Sequence, residues 1–133
     1  MTTQIRQRLQ PLRDALLALH KTLVDSERVN YEETFGAIHS PNQFLQLLTS
    51  DPWFAWLHAL SELVVAMDEA LDSKEPATAA DVEALFKQTR SLLVATEEGE
   101  GFSKHYYDSL QRDPDVVMAH SEVVKALAGK RKV

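Results

Sequence analysis

"IRQRLQPLRDALLALHKTL", residues 5–23, is the stretch that decides the fold. Ile5, Leu9, Leu12, Leu16, Leu19 and Leu23 recur at steps that alternate between four and three. A helix turns through about 100° per residue, so this spacing gathers the six side chains into one a/d seam. Pro11 interrupts the seam. It either kinks the helix or sits in its first turn, with the start near Gln10. The expected helix runs from near Thr3 through "DSERVNYEETF" to Gly36, a natural stop.

The rest of the chain reads in the same way. Ser40, Pro41 and Gln43 form a helix start with a capping-box partner, and Phe44, Leu45, Leu47 and Leu48 make that helix short and apolar. Asp51–Pro52 repeats the device, and the next helix is expected to reach about Leu71. Its inner seam is expected to be Trp53, Leu57, Leu60, Val64, Met67 and Leu71. "DSKEPATAAD" is a linker, after which Thr78 caps a helix to about Thr96. "EEGEG" breaks that helix. A shorter one with Phe102, Tyr106 and Leu110 follows, and Asp113–Pro114 opens the last helix, which ends at Gly129. No stretch shows the period-two alternation of a half-buried strand. The expected fold is all-α, four-helix-bundle-like with one or two additional short helices. Residues 1–129 read as a single helical domain and 130–133 as a basic, solvated tail.

Composition excludes several function classes. The chain has 133 residues, 44% of them hydrophobic and 26% charged, which suits one globular domain able to bury its own core. It contains no cysteine, which removes disulfides, thiolate catalysis, iron–sulfur clusters and cysteine-ligated zinc. The net charge is −6 and the only basic cluster is Lys130, Arg131 and Lys132, so a nucleic-acid partner is not expected. No apolar run reaches the roughly 18 residues of a membrane span, and no signal peptide is legible. A cytoplasmic protein without a membrane partner is expected.

His58 and Glu62 lie four residues apart on one helix, a spacing shared with hemerythrin-like proteins. The face calculation turns both away from the inner seam. The resemblance also stops there. Thr78–Thr96 holds no histidine, the residues five after His105 and His120 are Leu110 and Lys125, and no glutamate starts a ferritin-like Glu-x-x-His.

The informative irregularities are polar residues on apolar faces. The first seam, continued past Leu23, meets Ser26, Glu27 and Asn30, with Tyr31 close by and His20 on its shoulder. His120 falls inside the last helix's stripe of Val116, Val117, Val123, Val124 and Leu127. Burying such groups costs free energy unless they are paired. His120 is expected to bond Glu27, Tyr31 or a backbone carbonyl. The functional alternative is a small-ligand or mononuclear metal pocket of His20, Glu27, Asn30, Tyr31 and His120, serving a binding protein or an enzyme. Trp53, Phe54 and Trp56 crowd one corner, which serves either as core or as a surface for a partner.

The segments "ERVNYE" (Glu27–Glu32), "DPWFAWLHALSELVVAMDE" (Asp51–Glu69) and "LQRDP" (Leu110–Pro114) resemble small helical bacterial proteins without an assigned activity. The resemblance implies no cofactor and no reaction. The leading expectation is a non-catalytic binding or interaction module, paired with a second copy as a homodimer or with another protein through Trp53, Phe54 and Trp56.

Overall fold

The computed structural model describes residues 3–75 and 77–129. The basic tail, 130–133, lies outside the described residues. Six α-helices follow in order: α1 (Thr3–Phe35), α2 (Pro41–Ser50), α3 (His58–Asp72), α4 (Ala79–Leu92), α5 (Phe102–Arg112) and α6 (Pro114–Leu127). A 3-10 helix, Pro52–Leu57, joins α2 to α3. No strand occurs among the described residues, and the fold is all-α.

The long α1 is the spine. Leu9, Leu12, Leu16, Leu19 and Leu23 are fully buried along it, as the seam requires. Pro11 lies inside the helix rather than at its start. It sits outside the seam and is exposed, so the lost backbone donor faces the surface. The helix stops at Gly36, whose φ of 95° needs no Cβ to be accommodated.

α3 runs back along α1. Arg6 donates to the Leu71 carbonyl at 2.8 Å, Arg13 pairs with Asp68 at 2.6 Å, and Tyr31 meets Phe54 at the far end. α6 also runs antiparallel to α1: its C-terminal end shares a groove with residues 7–18, and its start lies beside residues 22–33. α4 adds the fourth wall through Val82, Leu85 and Phe86. α5 packs on the 3-10 helix and on α6.

The helix starts follow the sequence closely. Ser40 Oγ accepts from Gln43 N–H, and Asp113 Oδ1 accepts from Asp115 N–H. Thr78 and Asp81 form a reciprocal capping box. At the first of these, Gln43 reaches back to His39 N–H instead of the cap residue.

Three expectations need correction. The helix after Asp51 does not begin as an α-helix. Its first six residues wind at three per turn, which shifts the phase of the apolar face. Phe54, Leu57 and Leu60 therefore line the core at steps of three, while Trp53 turns aside and stays half-buried. In α6 Val116 and Val123 are buried in the core and Leu127 packs partly against it. Val117 and Val124 face outward, because one helix packed on α1 buries a narrower stripe than the sequence offered. α4 ends at Leu92, four residues before the expected stop at Thr96, whose N–H instead accepts a place in the loop by donating to the Ser103 carbonyl.

Candidate functional site

Glu27 continues the α1 seam into the interior and is 5% exposed, with Ser26 buried beside it. A carboxylate in such a place costs several kcal/mol unless a cation and donors meet it. Arg112, the last residue of α5, supplies them. Its Nη2 donates to Glu27 Oε1 at 2.8 Å and to Ser26 Oγ at 3.0 Å. Trp56 Nε1 approaches Glu27 Oε2 at 3.5 Å, the long limit of a hydrogen bond. Local sequence places the arginine. Pro114 disfavours helical backbone at Asp113, so α5 ends at Arg112 and its side chain returns over α1.

His120 has a different partner from those expected. Its Nδ1 lies 2.5 Å from the Tyr106 hydroxyl, and Tyr106 is fully buried. Burial raises the phenol well above its ordinary range and lowers the imidazole below its own. Both shifts favour neutral forms, so the phenol and Nδ1 share a hydrogen bond between two uncharged groups.

The remaining candidates lie apart. His20 is half-buried, and its pKa is lowered first by burial and then by the charge of His58. His58 in turn has Nε2 3.0 Å from the Leu48 carbonyl at the end of α2, so this exposed ring ties α2 to α3. Tyr31 belongs to an aromatic cluster, 5.8 Å from Trp53 and 5.5 Å from Phe54. Asn30 lines an open polar groove with Arg112, Asp25 and Asp115. The structure therefore brings Glu27 and Asn30 to the same Arg112 but sets His20, Tyr31 and His120 in separate surroundings. Among the described residues no group of three or more His, Asp or Glu side chains is close enough to hold a metal ion.

The aromatic corner divides too. Phe54 is fully buried against Tyr31 and Phe44, and Trp53 joins them with its Nε1 buried and without an acceptor. Trp56 points the other way, stacked on His105 at 5.3 Å and edge-on to Phe102.

A groove of about 1030 Å³ opens between α1, α4 and α6, floored by Pro11, Ala15, Ala18, Phe86, Ala126 and Leu127. Alanines at three of these positions, Ala15, Ala18 and Ala126, leave the space. Arg8 lies over the Phe86 ring at 4.9 Å and pairs with Glu83 at 2.6 Å. Arg90 approaches the same ring and donates to the Leu127 carbonyl at 3.1 Å. Comparison with known protein families, curated proteins and solved structures gives no match to this chain.

Sequence reasoning located Glu27 and His120 as interior polar groups but missed Arg112 and Tyr106 as their partners. A signal for Arg112 was present: a buried acid needs a cation, and Arg112 stands at a helix end forced by proline. The groove had no such signal, because it is made of alanines that any helix surface carries.

Proposed function

We propose that the protein is a non-catalytic helical binding module whose α1–α4–α6 groove takes the apolar part of a small molecule. The observation that carries this reading is the groove itself. Its volume of about 1030 Å³ is at the upper end of small-molecule sites, which often lie between helices. The rim charges Arg8 and Lys125 are engaged with Glu83 and Glu122, so they close the edge rather than search for an anion. The groove also has polar groups on its wall, among them Asp14 and Gln7. Pro11 has no N–H, so the Gln7 carbonyl, on a residue that lines the groove, lacks its usual helical donor. Glu27 and His120 are occupied by Arg112 and Tyr106, which leaves neither as a general base for this opening.

The test uses 8-anilinonaphthalene-1-sulfonate as the probe. Wild-type protein is expected to bind it saturably at one site, and Ala18→Trp or Ala126→Leu, which fill the groove, to weaken binding by about tenfold or more. Circular dichroism checks that both variants remain helical. Binding that never saturates, or that both fillings leave unchanged, refutes the reading.

A further inference from the structure

Among the described residues, the charged side chains that line the α1–α4–α6 groove are Arg8, Asp14, Glu122 and Lys125. They are not equally matched. Arg8 pairs with Glu83 at 2.6 Å, and Lys125 with Glu122 at 3.1 Å. Asp14 Oδ1 accepts from Gln10 Nε2, a neutral donor, at 3.0 Å. Arg13 stands 3.4 Å from the same oxygen and directs its short contact, 2.6 Å, to Asp68. Arg13, Asp14 and Asp68 together therefore leave one negative charge uncancelled, and Asp14 carries it to the groove wall.

A second acceptor is made by proline. In an α-helix the carbonyl of residue 7 takes its hydrogen from the N–H of residue 11. In α1 that residue is Pro11, which has no N–H and whose ring crowds the same carbonyl. Gln7 and Pro11 both line the groove, and Asp14 lies one turn beyond Pro11 on that side. Along α1 the acceptors come first, from Gln7 to Asp14, and the small apolar side chains Ala15 and Ala18 follow. Ala126 and Leu127 of α6 extend the apolar part.

This arrangement selects among head groups. A carboxylate or phosphate would meet Asp14 with like charge and offer the Gln7 carbonyl no hydrogen. A hydroxyl would serve the carbonyl but not the charge. A quaternary ammonium would answer the charge but not the carbonyl. A primary ammonium does both, because it is a cation with three N–H donors. We propose that the ligand of this groove is a primary amine with an apolar body, its ammonium held between the Gln7 carbonyl and the Asp14 carboxylate. The proposal rests on the groove being a small-molecule site and adds the class of molecule that it takes.

Decylamine, decyltrimethylammonium, decan-1-ol and decanoate share a chain length and differ in the head. Each is titrated calorimetrically into the full chain at pH 7, below its micelle concentration. Decylamine is expected to bind about tenfold more tightly than decyltrimethylammonium or decan-1-ol, and more tightly still than decanoate. Pro11→Ala returns an N–H to the Gln7 carbonyl and favours the helix. It is expected to bring decylamine down to the level of decyltrimethylammonium. Asp14→Asn is expected to weaken both cations by about threefold relative to decan-1-ol, a modest effect because the carboxylate is exposed. Ala18→Trp is expected to exclude all four probes. Decylamine that binds no better than decanoate, or whose affinity survives Pro11→Ala or Asp14→Asn undiminished, overturns the proposal. Decylamine binding that Ala18→Trp leaves unchanged also overturns it, since that binding lies elsewhere. In each of these cases, saturable uptake of 8-anilinonaphthalene-1-sulfonate that is lost in Ala18→Trp keeps the groove as a site for another class of molecule. If that uptake fails too, the binding-module reading falls with the proposal.

Discussion

Removing Arg112 should cost more than removing the acid it serves. Arg112→Ala leaves the Glu27 carboxylate, whose side chain is 7% exposed, without its cation. Breaking a buried pair in this way costs about 3–5 kcal/mol. The Arg112 side chain is 35% exposed, so water enters where it stood and reduces the expected loss to about 2–3 kcal/mol. For a chain of this length that is a fall in Tm of about 8–12 °C. Glu27→Leu should cost less, because the freed guanidinium swings into solvent and leucine continues the apolar seam. The double variant Glu27→Leu/Arg112→Ala should be more stable than Arg112→Ala alone, with a coupling energy of about 1–2 kcal/mol. Urea unfolding followed by far-ultraviolet circular dichroism at pH 7 measures all three. An Arg112→Ala loss below about 0.5 kcal/mol would refute the reasoning, as that is the range of an ordinary surface substitution. So would a loss no larger than that of Glu27→Leu.

Three further outcomes follow from single features. His20 and His120 are held below the ordinary histidine range, so the unfolded chain takes up protons before the folded one. Stability is full above about pH 6.5 and falls as pH drops below it; urea midpoints at pH 5 and 7.5 should differ less in His120→Gln than in wild type. Trp53→Phe removes a buried N–H that has no acceptor, and should cost within about 1 kcal/mol by the same unfolding assay, well short of the roughly 3–5 kcal/mol of a full aromatic truncation. Gly36→Ala meets open space but is forced to a φ of 95°, so it should lower stability by about 1 kcal/mol through backbone strain alone, read as a shift in thermal midpoint.

Much of the fold was legible because it depends on local rules. The α1 seam, the stop at Gly36 and the caps at Ser40, Thr78 and Asp113 each follow from a few adjacent residues. The phase of the apolar face after Asp51 was not legible. A proline-led first turn can wind as α or 3-10, and the choice depends on how Phe54 and Leu57 meet α1. Glu27 and His120 stood out as polar residues on apolar faces, but their partners lie 85 and 14 positions away. Periodicity says nothing about which helix end returns to which seam. The outward turn of Val117 and Val124 was hidden for a related reason: spacing shows that a helix has apolar faces, not how many neighbours it has to cover them.

The pairing of α1 with α6 also has a consequence for the birth of the protein. Of the six described helices, a ribosome releases the one that carries Leu9 to Leu23 first and the one that carries Val116 and Val123 last. The two pack on each other more extensively than any other pair of helices. For most of synthesis the spine therefore waits with part of its leucine stripe uncovered, open to chaperones or to misplaced contacts. Its final closure joins the most distant parts of the sequence, the kind of contact that slows folding. A circular permutant that links the two helices through a short loop and opens the chain at "DSKEPATAAD" should fold faster while keeping the same native packing.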